Sequence, residues 1–324
     1  MKEASDWIRS ALEQEGVGIS GAIERVQAWS TVWRIPTDGG AYYFKACAPL
    51  LSHEAAVTEA LYRWRPDCTL RVIKIDAHRG WLLMADGGPT LRQIFNRMAN
   101  GADTKPIPTE VWGDILGLYA SLQIDLAGHV DKLLQLGSPD RQLALLPDLY
   151  HNLLAEPEWL LIDQTDGLSV PEYERLLEAE PQVTDLCRQL GAYAIPMSLH
   201  HNDLHDANIF VDDGRPLFFD WGDSSIAHPF FSLRTVFVSI EYTFDLDELD
   251  PIFEELAQFY LQPWHTMETA ENTTAAFKLA QRLWALSSAV KYKTQIRHVP
   301  ALREEYGSAV PGLLQEFLAA NPEF

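Results

Sequence analysis

The sequence predicts an α+β protein with two lobes, a small lobe built on an antiparallel sheet and a larger, mainly helical lobe. Segments rich in β-branched and aromatic residues lie before residue 86, in the order strand, strand, strand, helix, strand, strand. After residue 90 helical patterns dominate, apart from a strand-rich island around residues 197–220. Because Gly87-Gly88 breaks the chain, we place the lobes at residues 1–86 and 87–324.

The first lobe begins with an amphipathic helix over residues 2–15, where apolar residues recur at helical spacing until Gly16. Three antiparallel strands are predicted next, at residues 23–27, 31–35 and 41–46. Asp38-Gly39-Gly40 has the composition of a hairpin turn between the last two. The remaining elements are a helix and two strands, predicted at residues 52–64, 70–76 and 81–85.

The second lobe is predicted from longer helical patterns. These lie at residues 109–126, 139–154 and 171–193, with at least three more after Phe230. Within the strand-rich island, two short strands flank a tight turn at Asp212-Asp213-Gly214-Arg215. A cleft between two such lobes is a common place for a ligand.

Composition limits the classes of partner and the compartment. The net charge of −21 disfavours a nucleic-acid partner and favours a cationic ligand, although solubility alone is the simpler explanation. The N-terminus lacks the apolar run of a signal peptide, and no stretch reaches about 18 apolar residues. The 3 cysteines have neither disulfide nor metal-ligand spacing. We therefore expect a cytoplasmic protein with no membrane partner.

Three polar residues of the island suit phosphoryl transfer. Asp203 and Asn208 lie before or at the start of its first strand, and Asp220 lies where its second strand ends. Phosphoryl transfer depends on positioning and on charge neutralisation by Mg²⁺. One carboxylate must accept the proton of the attacking hydroxyl, a role that fits Asp203. The oxygens of Asn208 and Asp220 are hard ligands of the kind that Mg²⁺ prefers.

The histidines of the same island raise a second possibility, a zinc hydrolase. His201 and His205 are four residues apart, and His200 is adjacent. A helix would be needed to bring the first pair onto one face, yet the segment after Leu204 leads into a strand. We therefore interpret His201 as an orienting or packing residue of the loop.

The pattern His201-x-Asp203-x4-Asn208, followed by Asp220, resembles the Brenner motif and metal aspartate of the aminoglycoside phosphotransferase and choline kinase superfamily. The resemblance implies a protein-kinase-like fold, ATP and Mg²⁺ as cofactors, and phosphoryl transfer to a small-molecule hydroxyl. It also implies a lysine on the third strand that pairs with the α- and β-phosphates, and Lys45 occupies that position.

The resemblance assigns further contacts to the first lobe. The partner of Lys45 is a glutamate of the next helix, where Glu54 borders the apolar face and Glu59 lies nearly opposite it, so Glu54 is favoured. The first hairpin lacks a glycine-rich signature, so phosphate contacts there rest on backbone N–H groups and on Ser30 or Thr31. The strand end at Ala85 and Asp86 offers backbone groups to adenine.

The sequence thus predicts a small-molecule kinase whose acceptor and oligomeric state stay open. A catalytically silent nucleotide-binding module with the same fold is the alternative, although the joint presence of Lys45, Asp203, Asn208 and Asp220 disfavours it. Two further features remain unassigned, Asp223 and the acidic segment 245–255. Each has a simple structural explanation, as a turn cap and a solvated helix start.

Overall fold

A computed structural model describes residues 2–25, 31–98, 107–248, 250–298 and 306–324. It has mixed α and β structure, with a five-stranded antiparallel sheet in the N-terminal part of the chain and a helical C-terminal region. The predicted α+β class is confirmed. None of the helices in the described ranges has the length and apolar character needed to cross a bilayer.

The N-terminal sheet has the strand order β1-β2-β3-β5-β4. Its strands are β1 (Glu24–Arg25), β2 (Thr31–Thr37), β3 (Gly40–Ala46), β4 (Val72–Asp76) and β5 (Trp81–Ala85). Helix α1 (Lys2–Gln14) precedes the sheet, and α2 (His53–Trp64) connects β3 to β4. Of the strand predicted at residues 23–27, residues 26 and 27 lie outside the described part of the chain.

Helix α1 packs on the sheet because its apolar residues recur at helical spacing and so share one face. Ile8 and Leu12 of this face are fully buried in one cluster with Phe44 of β3 and Leu83 of β5. Side chains alternate across a strand, so the neighbours of Phe44 in β3 project from the other face of the sheet. Lys45 is one of these neighbours.

The chain forms two compact units. The first contains Met1–Pro106, Gln135–Ser138 and Leu204–Ser224. The second contains Ile107–Leu134, Pro139–Asp203 and Ser225–Phe324. The predicted lobe boundary at Gly87 stays a prediction.

The first unit includes α3 (Leu91–Met98) and the hairpin of β7 (Ile209–Asp212) and β8 (Arg215–Phe218). Its turn residues Asp213 and Gly214 both have positive φ, 47° and 78°, as a two-residue type I′ turn requires. Phe218 donates its N–H to the carbonyl of Cys68 at 2.8 Å, and Leu217 is buried with Leu70 and Met84. These contacts fix the end of β8, and with it Asp220, against the N-terminal sheet.

The second unit is mainly helical. Its helices are α4 (Thr109–Leu126), α5 (Val130–Gln135, whose last residue belongs to the first unit), α6 (Leu146–Leu154), α7 (Val170–Glu178), α8 (Glu180–Leu190), α9 (Ser232–Phe244), α10 (Ile252–Leu261), α11 (Ala270–His298) and α12 (Ala309–Ala319). A two-stranded antiparallel sheet of β6 (Ser198–His200) and β9 (Ser225–Ala227) lies in the same unit.

Two predicted helices differ from the structure. The helix predicted over residues 139–154 begins only at Leu146, because Asp140 forms a bridge with Ile226 and its carboxylate accepts the N–H of Gln142 at 3.1 Å. The helix predicted over residues 171–193 is divided into α7 and α8. Pro181 lies in the first turn of α8, where the N–H that proline lacks would have no partner within the helix.

Candidate active site

Lys45 forms the centre of a charged cluster in the first unit. Its Nζ lies 2.6 Å from Oε1 of Glu54 and 2.7 Å from Oδ1 of Asp220. These residues come from β3, α2 and the segment after β8, so the fold joins positions 175 apart in sequence. The lysine and glutamate side chains are 13% and 2% exposed, whereas that of Asp220 is 38% exposed. Asp220 is therefore the member of the cluster that solvent and ligands can reach.

Both carboxylate oxygens of Glu54 have partners. Oε1 accepts from Lys45, and Oε2 accepts from the thiol of Cys47 at 3.3 Å. Gly222 stands close to the same oxygen, since a Cβ added there would lie 3.1 Å from Oε2. Glu59, the other candidate from the sequence, instead forms an ion pair with Arg63 on the helix surface. The Glu54 carboxylate is thus held by Lys45 of β3 and by Cys47, which follows β3, and Gly222 leaves room for its second oxygen.

The electrostatics of the cluster favour a permanent positive charge on the lysine. Burial by itself lowers the pKa of the Lys45 ammonium, but the carboxylates of Glu54 and Asp220 outweigh it and raise the pKa above its usual value. Burial also raises the pKa of Glu54, against the opposing effect of Lys45. Burial raises the pKa of the Cys47 thiol as well, and the Glu54 carboxylate adds to this effect. At neutral pH Cys47 is therefore a hydrogen-bond donor rather than a thiolate.

Asp220 occupies an unusual backbone conformation. Its φ and ψ are 64° and 60°, in the left-handed region that aspartate and asparagine tolerate better than other residues with a Cβ. The turn Trp221–Asp223 follows directly, and the Trp221 side chain is fully buried. The chain therefore reverses sharply at Asp220, between a strand on one side and a buried indole on the other.

Asn208 lies beside the same reversal. It ends a short 3-10 turn, Asp206–Asn208, that is capped by Nδ1 of His205, which accepts the N–H of Ala207 at 3.1 Å. The Asn208 carbonyl accepts the N–H of Phe219 at 3.3 Å. Phe219 immediately precedes Asp220, so the backbones of the two predicted metal ligands are adjacent.

An ion pair holds the loop before Asn208. Asp206 is buried, and its Oδ1 accepts from Nε and Nη2 of Arg92 at 2.9 and 2.6 Å. Arg92 belongs to α3, so this pair attaches the loop to a helix of the same unit. Two charge-assisted bonds to the same oxygen therefore hold Asp206 against Arg92.

Asp203 lies in the second unit, at the point where the chain passes into the first. Its N–H donates to Nδ1 of His201 at 3.3 Å, and the N–H of His201 donates to the Tyr119 hydroxyl at 3.2 Å. Nδ1 of His201 must be unprotonated to accept this bond. His201 thus orients the Asp203 backbone, in agreement with its interpretation as an orienting residue of the loop.

The remaining predicted residues lie on the sheet. Thr31 pairs with Ala46 in the β2–β3 register, one position from Lys45, while Ser30 lies outside the described residues. Ala85 donates its N–H to the carbonyl of Arg71 at 3.0 Å. Asp86 donates its N–H to the carbonyl of Ala41 at 3.2 Å, so both amides are engaged within the sheet.

The three histidines that suggested zinc have other partners. Nδ1 of His200 is 2.8 Å from the Ser232 hydroxyl, and Nδ1 of His201 and of His205 accept backbone N–H groups. Burial lowers the pKa of His200 well below its usual value, with Lys291 and Arg141 adding to the effect. Over the described ranges, no group of three His, Cys, Asp or Glu side chains is arranged to hold a metal ion. The contacts assign these histidines to the scaffold.

The comparison with known families agrees with this geometry. A sequence model described as the phosphotransferase enzyme family matches residues 116–285, more than half of the chain. The chain belongs to the phosphotransferase enzyme family. The matched range includes His201, Asp203, Asn208 and Asp220. No curated protein matches the sequence of this phosphotransferase.

Solved structures share the fold of this phosphotransferase. A choline/ethanolamine kinase family protein from Mesorhizobium loti has a TM-score of 0.60 at 16% identity, over 98% of this chain and 94% of that chain. A choline kinase from Cryptosporidium parvum has a TM-score of 0.60 at 11% identity, over 98% and 96%. A macrolide 2'-phosphotransferase from Brachybacterium faecium has a TM-score of 0.56 at 15% identity, over 94% and 97%. At such identities the likeness establishes the fold alone.

The structure of this phosphotransferase also reveals contacts that sequence reasoning did not find. Cys47 bonds to Glu54, Arg92 bonds to Asp206, and Lys291 bonds to the loop before Asp203. Asp206 stands out in the sequence as an acidic residue close to His205, but nothing there indicates Arg92 as its partner. The sequence gives a weaker indication for Lys291, which is a charged residue directly after the apolar residues Ala289 and Val290 of a predicted helical segment. Cys47 gives none.

Proposed function

We propose that this phosphotransferase moves the γ-phosphoryl group of Mg²⁺-bound ATP to a hydroxyl of a small molecule. The observation that carries the proposal is the position of Lys45 between Glu54 and Asp220. A lysine held at its ammonium by a buried glutamate, next to a more exposed aspartate, suits the binding of nucleotide phosphates and a divalent cation.

Lys45 would contact the α- and β-phosphates, with Glu54 as its orienter. The bond from Cys47 to the second oxygen of Glu54 supports this role, because it leaves the first oxygen directed at the ammonium. Thr31, the first residue of the strand paired with β3, would contribute phosphate contacts, as would Ser30, which precedes it in the sequence. Ala85 and Asp86 would contact adenine through their carbonyl oxygens, since their N–H groups are engaged in the sheet.

Asn208 and Asp220 would hold Mg²⁺. An amide oxygen and a carboxylate are hard donors of the right type, and their adjacent backbones together with the exposure of Asp220 support the fit. When bound, Mg²⁺ neutralises the negative charge that develops on the phosphate oxygens. Lys45, which bonds to Asp220 in this structure, would then direct its charge to the phosphates.

Asp203 would act as the base that orients the acceptor hydroxyl and receives its proton. Its place five residues before Asn208 in the motif and the fixed geometry of its backbone N–H support the assignment. The acidic net charge favours a cationic acceptor such as an amino alcohol or aminoglycoside. A cytoplasmic location, consistent with three free buried cysteines, would supply the ATP.

A coupled assay of ADP release tests the proposal. The enzyme is incubated with Mg-ATP and a panel of hydroxylated compounds, beginning with amino alcohols and macrolides, the acceptors that the names of its structural neighbours suggest. Acceptor-dependent ADP release that is about 1,000-fold slower in Asp203→Asn supports the proposal. No release with any acceptor, together with an ATP-dependent thermal shift, would favour a silent nucleotide-binding module. The absence of both would leave the proposal without support.

A further inference from the structure

The peptide bond that joins Asn202 to Asp203 has a partner at each end. Nζ of Lys291 donates to the Asn202 carbonyl at 3.1 Å. The N–H of the same peptide unit, which belongs to Asp203, donates to Nδ1 of His201 at 3.3 Å. A planar unit held at both its donor and its acceptor has little freedom to rotate. The Cα of Asp203 is attached to this plane, so its side chain starts from a fixed point.

The residue before Asp203 is also fixed through its side chain. Asn202 has a φ of 64°, in the left-handed region, and its Nδ2 donates to the Ser225 hydroxyl at 2.8 Å. Ser225 is the first residue of β9 and pairs with His200 of β6. The Asn202 carbonyl therefore points in a direction set by a strained backbone and by a strand, and the ammonium of Lys291 lies in that direction.

Lys291 is a charged residue in a largely buried position. It lies in α11 next to the buried residues Ala289 and Val290, and it is itself only 5% exposed. Its Nζ is 4.4 Å from the centre of the Tyr292 ring, which gives some compensation through a cation–π contact. An ammonium that is withdrawn from solvent in this way needs hydrogen bonds or charges of the protein to satisfy it. The Asn202 carbonyl is one such partner of Lys291.

Lys293 provides a comparison within the same helix. It is also a buried lysine, and its Nζ donates to the Asn152 carbonyl at 2.9 Å. It forms an ion pair with Glu156 at 3.1 Å as well. These contacts join α11 to the end of α6 and to the segment after it. Because Lys291 and Lys293 are two residues apart in a helix, their side chains leave α11 in nearly opposite directions.

We propose that Lys291 is a positioning residue for Asp203. It acts by holding the peptide unit that joins Asn202 to Asp203. The inference rests on the proposed function, in which Asp203 is the base. Lys291 acts on the backbone, so its role differs from that of a group that touches the substrate. Misplacing a catalytic group by about 1 Å can lower the rate about 100-fold, so one backbone bond is sufficient to matter.

The test compares Lys291→Met with Lys293→Met. Each variant replaces a buried lysine of α11 with a flexible apolar side chain of similar length. For Lys291→Met we expect kcat with the identified acceptor to fall about 10- to 100-fold, while KM for ATP changes less than about twofold. We expect any fall in Tm to be no larger than the fall in Lys293→Met, because each substitution removes the donor to one carbonyl. Lys293→Met should keep kcat within about twofold of wild type.

A lower kcat in Lys291→Met, at a Tm no lower than that of Lys293→Met, is the signature of positioning, because a merely structural lysine would change kcat only together with Tm. If Lys291→Met keeps full kcat, or if both variants lose kcat and Tm in parallel, the proposal is overturned. Should Lys291→Met not fold, Lys291→Gln is measured instead, since its amide keeps a neutral donor on a shorter side chain. The proposal is also overturned if Lys291→Gln folds, shows faster hydrogen exchange in the loop that carries Asp203, and yet keeps the wild-type kcat.

Hydrogen exchange separates this inference from the proposed function. The amide of Asp203 donates to His201, so its exchange reports the order of the loop without any acceptor. We expect faster exchange of a peptide covering residues 199–211 in Lys291→Met than in wild type or Lys293→Met. If wild type shows no turnover, the proposed function fails while this measurement still decides whether Lys291 holds the loop. Equal exchange in all three proteins would refute the positioning role.

Discussion

Nζ of Lys45 lies 2.6 Å from Oε1 of Glu54, and both side chains are largely buried. A buried pair of this kind contributes little net stability when it is intact, but the loss of one partner leaves an uncompensated charge. We therefore expect Lys45→Met to abolish measurable turnover and to lower the free energy of unfolding by about 3 kcal/mol. Chemical denaturation and the ADP-release assay measure the two effects.

A double variant separates stability from catalysis at this pair. In Lys45→Met/Glu54→Leu neither buried charge remains, so we expect most of the lost stability to return while turnover stays absent. The exposed pair Arg188–Asp185 is the control, since Arg188→Met should change the unfolding free energy by less than about 1 kcal/mol. Recovery of activity in the double variant would contradict the role of Lys45 in phosphate binding.

Asp203→Asn removes the proposed base while it preserves the size of the side chain. We expect kcat to fall about 1,000-fold, within the range that general base catalysis contributes, with the thermal shift on Mg-ATP retained. Asp212→Asn, at an exposed position of the β7–β8 hairpin, is the matched control and should leave kcat unchanged. Full activity in Asp203→Asn would contradict the mechanism.

Much of this arrangement could be predicted because it depends on local periodicity. Strand alternation places Lys45 on the face of β3 opposite Phe44, and the helical repeat places Glu54 rather than Glu59 at the edge of the apolar face. The hairpin before Asp220 follows from Asp213-Gly214, whose residues tolerate the positive φ of a type I′ turn. The two-residue repeat of a strand and the 3.6-residue repeat of a helix are visible in the sequence, so the faces on which Lys45 and Glu54 lie can be predicted from it.

The parts that could not be predicted depend on contacts between distant segments. Asp140 forms a bridge with Ile226, and that pairing replaces the helix that the local pattern favours. Lys291 meets the Asn202 carbonyl across 89 positions, and nothing in the periodicity of α11 indicates which carbonyl it would reach. Cys47 bonds to Glu54 only because β3 and α2 pack together. Tertiary packing, rather than propensity, decides such contacts.

Removal of Mg²⁺ should stop turnover, and the proposed ligands should control its affinity. We expect Asn208→Ala to raise the Mg²⁺ concentration for half-maximal activity at least about 10-fold, because a direct oxygen donor is lost. Asp220→Asn should abolish activity. A Mg²⁺ titration at saturating ATP measures both. The same Mg²⁺ dependence in wild type and Asn208→Ala would contradict the assignment.

The thiol of Cys47 should support Glu54 without reacting itself. Cys47→Ser keeps a donor near Oε2 of Glu54, whereas Cys47→Ala removes it. We expect the alanine variant to lose about three- to tenfold in kcat/KM for ATP, equivalent to about 1 kcal/mol for one hydrogen bond, and the serine variant to lose less. Cys187→Ala, which removes another buried thiol, is the control. A larger loss in Cys47→Ser than in Cys47→Ala would contradict a donor role.

His228 should make stability depend on pH. Burial lowers the pKa of His228 to about 3, from 6.5 for the free side chain. Below pH 6.5 the unfolded chain binds a proton that the folded chain rejects, so the stabilisation present above that pH is lost progressively down to about pH 3. Between pH 6.5 and 5 the loss from this residue is about 2 kcal/mol.

His228→Asn tests this dependence. Nδ1 of His228 accepts the N–H of Phe230 at 3.3 Å, and an asparagine oxygen can cap the same turn without taking up a proton. We expect the variant to be less stable than wild type at pH 7.5, because the ring packs on Phe230 and Phe231, but to lose less stability between pH 6.5 and 5. His265→Asn, at an exposed position, should follow wild type. Urea unfolding at each pH measures the slope, and parallel curves for wild type and His228→Asn would show that this histidine does not control it.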